Sequence, residues 1–151
     1  MRTGLLAAAL ALAASAAWAG SLEPLQDYVD SRGHGEMDHS YPLVRCGALY
    51  MTSLKAAGTD LTPEKAEQVQ ATAMKMAAIA AKFRMQPGDD PTAVANGVMD
   101  DLEGLMAQYA ERGGGQGFGG DSLVKKDFKY CRTVTEPFVQ AYDMNPPPAA
   151  Q

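Results

Sequence analysis

Two histidines and two carboxylates fall within six residues, His34-Gly35-Glu36-Met37-Asp38-His39, and these are the chain's only imidazoles. Imidazole and carboxylate together could wrap a divalent ion such as zinc or copper, with His34, Asp38 and His39 as candidate ligands. The segment is polar and carries a glycine, without the fixed spacing of a metal-binding helix or knuckle, and as a solvated loop it needs no ion at all. Cys46 and Cys131 are the only thiols. They form neither C-x-x-C nor C-x-x-C-H, and no helix supplies a histidine to activate either one, which points to a structural disulfide.

Three further patterns suggest chemistry and then lose it. Gly115-Gln116-Gly117-Phe118-Gly119-Gly120 matches the dinucleotide fingerprint, but that motif needs a strand before it inside a βαβ unit. Asp89-Asp90, Asp100-Asp101 and Glu36/Asp38 are paired carboxylates, whereas acid–base work needs one of a pair desolvated in a cleft; all three pairs read as solvated surface. Asp38-His39-Ser40 holds triad residue types in mere adjacency, with no nucleophile elbow. Methionine is frequent, but Met74 and Met76 stand two apart on a helix and point about 200° away from each other, so they cannot share one ion. Met51, Met74, Met76, Met99 and Met106 read as adaptable core filler. No catalytic residue and no cofactor is expected.

The elements that must position these residues begin after a leader. Arg2, the apolar run Leu5–Ala14 and Ala17-Trp18-Ala19 have the three parts of a secretory signal peptide, with cleavage expected after Ala19. Residues 1–19 are therefore set aside, residues 20–143 are read as one helical domain, and 144–151, with Pro146-Pro147-Pro148, as a disordered proline-rich tail. The remaining 132 residues carry 12 basic and 18 acidic side chains. A negative surface argues against nucleic acid and anionic lipid, and no second apolar run reaches the roughly 20 residues of a spanning helix. The compartment expected is periplasmic or secreted, where oxidising conditions favour the Cys46–Cys131 bridge.

Apolar residues recur at three and four, and start and stop signals frame each run, so every element is a helix. A short helix opens at Ser21-Leu22-Glu23-Pro24 and fades near Ser31; the next runs from Tyr41-Pro42 to Ala57, stopped by Gly58. Thr62-Pro63 opens the longest, with Ala66, Val69, Ala73, Met76, Ala80 and Phe83 as its inner stripe. Asp90-Pro91 opens the fourth, burying Val94, Val98, Leu102, Leu105, Met106 and Tyr109. After the glycine-rich loop Gly113–Gly120, Asp121 caps a last helix carrying Val124, Phe128, Cys131, Val134, Phe138 and Tyr142, which Pro137 should kink or end early.

Four main helices on short connections, plus the N-terminal one, predict an all-α antiparallel bundle. Its first and last long helices hold Cys46 and Cys131, and a bridge closing 85 residues would stabilise it by about 4 kcal/mol on the chain-entropy account. The functional expectation is a small exported, non-enzymatic protein acting by protein–protein contact, chaperone-like or accessory. Phe118, on its glycine-rich tether, either tucks into the bundle or meets the unidentified partner. A chaperone-like version would open partly at low pH, as its carboxylates lose their charge. The alternative is a periplasmic metal-binding protein using the His34–His39 loop.

Overall fold

The structure, a computed structural model, describes residues 21–32, 35–113 and 117–144; the expected signal peptide, His34 and all of the expected tail but Met144, which is helical, lie outside them. Helix α1 (Leu25–Ser31) starts after Pro24 and buries Leu25 and Tyr28, one helical step of three apart. Helix α2 (Ser40–Ala57) begins where the Asp38 carboxylate accepts from the Ser40 N–H at 2.8 Å and from its hydroxyl at 2.6 Å. It stops at Gly58, whose φ of +53° is the left-handed backbone that favours glycine. Helix α3 (Pro63–Arg84) has Pro63 in its first turn and the Thr62 hydroxyl accepting from the Lys65 N–H. Asp90 accepts from the Thr92 N–H at the start of α4 (Pro91–Gly113), and Asp121 accepts from Leu123 and Val124 at the start of α5 (Ser122–Tyr130).

No strand occurs among the described residues, and the helices form the expected bundle. Helix α2 lies at its centre, packed against α3, α4 and α5. Every residue from Ser40 to Tyr50 is buried, the pattern of a helix enclosed on all sides. Small residues make this enclosure possible. Gly47 sits so close to α3 that a Cβ there would meet the Ala73 carbonyl at 3.2 Å, and Ala73, Ala77 and Ala80 line the facing side. The Cys46–Cys131 disulfide is formed and ties α2 to the last rod, with 5.6 Å between the Cα atoms.

That rod differs from the sequence expectation. Just ahead of Pro137 the chain widens into a π-helical turn over Cys131–Thr135 and then continues as α6 (Glu136–Met144). The Glu136 N–H bonds the Cys131 carbonyl five residues back, and Pro137 follows in the first turn of α6, where its missing donor matters least. One extra residue in a turn rotates everything beyond it by about 100°. Val134 and Phe138, expected inside, therefore emerge 45% and 42% exposed, while Thr135 and Val139 turn inward. Two expectations on α3 are also corrected. Met74 is exposed because Met76, two residues on, takes the core position, and Phe83 is 43% exposed at the end of its stripe.

Candidate functional site

The most concentrated polar chemistry is in the core. Arg45 lies fully buried on α2; its Nε donates to the Tyr109 hydroxyl at 2.9 Å and to Asp127 Oδ2 at 3.1 Å. One terminal nitrogen reaches the Tyr41 hydroxyl at 3.2 Å, and the other donates to Asp127 Oδ2 at 2.6 Å and to the Glu23 carbonyl. The Tyr109 hydroxyl donates to the same carboxylate, whose Oδ1 accepts from the Leu25 N–H at 2.8 Å. Burial works against the Arg45 charge, but Tyr109, Asp127 and Tyr41 outweigh it and hold the guanidinium above its ordinary pKa. The network joins α1, α2, α4 and α5, and among the described residues every buried side-chain nitrogen and oxygen has a partner. A fully satisfied network positions helices and offers no reactive group. Sequence reasoning missed it, although Arg45 is the one charge in the run Tyr41–Met51.

Burial also raises the pKa of Tyr109 and of Tyr50 above the ordinary tyrosine value of 10.0. A raised folded-state pKa leaves the fold at full stability below the unfolded value of 10.0, and stability falls as pH climbs above it, because the unfolded chain ionises first. In an alkaline titration, Tyr50 and Tyr109 should ionise together with the loss of helical circular dichroism. Tyrosinate absorbance reaching the full amplitude of six tyrosines with the helical signal intact would contradict this.

The residues singled out as ligands are placed as follows. Asp38 accepts both bonds from Ser40 at the start of α2, and His39 is exposed beside it, its ring 6.4 Å from that of Phe83. Among the described residues no three His, Cys, Asp or Glu side chains are grouped to hold a metal ion; His34 lies outside them. Cys46 and Cys131 are both consumed in the disulfide. Asp101 is corrected: it is no solvated carboxylate but a half-buried partner of Arg84 at 2.6 Å, while Arg84 Nε also bonds the Ser40 hydroxyl. Helix α4, not a strand, precedes the glycine-rich loop.

Phe118 is half-buried, edge-on to Phe128 at 6.1 Å between ring centroids. Its ring lies on Gly113, where a Cβ would stand 2.9 Å from the ring. Gly113→Ala should therefore dislodge the ring and cost about 1–3 kcal/mol, the range for overpacking. Chemical denaturation and the ring's NMR shifts check this; unchanged Phe118 shifts would refute it.

From Gly113 an open groove of about 740 Å³ runs between α2 and α4. Met51, Thr52 and Lys55 line it from α2, Met99, Glu103 and Met106 from α4, and Phe118 from the loop. The three methionines, expected as core filler, are half-buried in its walls. Thioether side chains are flexible and polarizable, so they adapt to varied apolar shapes. Lys55 on one wall and Glu103 on the other add one charge of each sign. On another face, the rings of Phe83, Phe138 and Tyr142 contact one another at 6.0–6.3 Å, with Lys82 over Tyr142. Neither surface brings together a nucleophile, a base and an orienting group. Comparison with protein-family models, with curated proteins and with solved structures found no match to this chain.

Proposed function

We propose that this is an exported, non-enzymatic interaction protein whose groove between α2 and α4 takes the apolar face of a partner polypeptide's amphipathic helix. The observation that carries the reading is the methionine-lined groove itself, concave and wide, held on two helices of a disulfide-tied bundle. From Met99 to Gly113 its α4 wall covers about four helical turns, a length that matches the i, i+3, i+4, i+7 anchors of a bound helix. Methionine walls suit a surface that accepts several sequences, as an accessory or chaperone-like role requires. The expected signal peptide and the disulfide support a periplasmic or secreted setting.

The test uses a synthetic amphipathic helical peptide and a scrambled peptide of the same composition, followed by methionine-methyl NMR. Met51, Met99 and Met106 should shift with the amphipathic peptide alone, and exposed Met74 should stay still. Met106→Glu should weaken binding more than tenfold while leaving the helical spectrum intact. If Met74 moves as much as the groove methionines, or none of them moves, the groove is not the binding surface.

A further inference from the structure

A second, smaller cavity of about 230 Å³ lies where α2, α3 and α6 meet, away from the methionine groove. Its lining is mixed: Val69 and Val139 form an apolar part, and the polar part comes from Tyr50 on α2, Gln68, Thr72 and Lys75 on α3, and Glu136 and Gln140 on α6. Two opposite charges border this one space, and each is held by a partner of its own. The buried Tyr50 hydroxyl donates to the Glu136 carboxylate, and Lys75 pairs with Asp143, which is exposed and outside the lining.

Glu136 is here because of the π-helical turn. It is the residue immediately after Cys131–Thr135, and removing the extra residue would rotate it by about 100° away from Tyr50. Such turns recur at functional sites, and this one directs a carboxylate into a cavity. Size narrows the guest. A water takes about 30 Å³ of liquid, so the space suits a small metabolite and falls short of the roughly 300 Å³ at which pockets for drug-sized ligands begin.

We propose that this cavity binds a small zwitterion of the free amino acid class, its ammonium group on Glu136 and its carboxylate on Lys75. Gln68, Thr72 and Gln140 supply amide and hydroxyl groups to hydrogen-bond the remainder. Fixing both charges in advance, through Tyr50 and Asp143, lowers the ordering cost of binding. A guest that matches only one of the two charges forgoes the second ionic contact and binds more weakly. The site is separate from the α2–α4 groove, and the proposal stands whether or not that groove binds a helix.

The experiment is backbone NMR of the intact protein titrated with L-alanine, L-glutamine and L-serine, with 1,4-diaminobutane and acetate as singly matched controls. At least one amino acid should shift the amides of Gln68, Thr72 and Gln140 saturably, with the controls at least tenfold weaker. Glu136→Gln and Lys75→Met should each weaken that binding at least tenfold, at an unchanged melting temperature for Lys75→Met, whose charge is exposed. If Glu136→Gln loses helical structure, Lys75→Met alone decides the matter. No saturable shift with any of the three amino acids overturns the proposal, as do shifts that survive Lys75→Met or that acetate reproduces at equal strength.

Discussion

Asp127→Ala is expected to remove about 3–5 kcal/mol of folding free energy, because it strands a guanidinium in the core. Asp127 Oδ2 accepts two bonds from Arg45 and a third from the Tyr109 hydroxyl, and its Oδ1 accepts a fourth from the Leu25 N–H. Its loss leaves the Arg45 charge with only the Glu23 carbonyl and two tyrosine hydroxyls, and leaves the Leu25 amide without its acceptor. Domains of this size are stable by about 5–15 kcal/mol, so the variant should populate unfolded chain at room temperature or melt far below the parent. The double variant Arg45→Met, Asp127→Leu separates the cost of an unpaired charge from the value of the pair. Replacing both charges by apolar groups of similar volume is often neutral, so the double variant should recover most of the loss in urea denaturation. A single variant within 1 kcal/mol of the parent would show that water reaches the site and screens the charge.

Reduction of the disulfide, or Cys46→Ala with Cys131→Ala, is expected to cost about 4 kcal/mol. The bridge closes 85 residues, a loop that contains all of α3 and α4, so its removal greatly enlarges the unfolded ensemble. The effect should appear as a lower denaturation midpoint. In the same experiment the reduced protein should lose the order of α5, the π-turn and α6 before that of α2 and α3. The last rod packs on α1, α2 and α3 through modest interfaces, whereas α2 and α3 share the most extensive one. Hydrogen exchange measured with and without reductant reads this directly. Equal midpoints with and without reductant would mean that packing alone holds the rod in place.

Much of the fold was legible because its signals are local. Thr62-Pro63, Asp90-Pro91, Asp121 and Gly58 each act on backbone groups within a few residues, and each marks a helix end within about a residue of where it falls. The inner stripe of α4 was equally plain, since Val98, Leu102, Leu105 and Tyr109 keep one period through one regular helix. The candidate sites were less legible. Val134 and Phe138 were assigned inward because a constant period of 3.6 was carried through Cys131–Thr135, where the helix adds a residue per turn. Met51, Met99 and Met106 sit at apolar helical positions, yet whether a methionine seals the core or borders a groove depends on how far apart two helices stand. Arg45 stood out as a charge in an apolar run, but its partners lie 64 and 82 residues away.

Sequence by itself determined the helices up to the last rod and their ends, because caps, prolines and apolar spacing act over a turn or two, and it held only two cysteines to pair. Tertiary structure alone decided that α2 is enclosed on all sides from Ser40 to Tyr50, that Arg45 meets Asp127 and Tyr109, and that Glu136 accepts from Tyr50 at the edge of a cavity. Those outcomes depend on the distance and rotation between helices. Small residues such as Gly47 and Ala73 and one extra residue in a turn set them, and no local period in the chain encodes either.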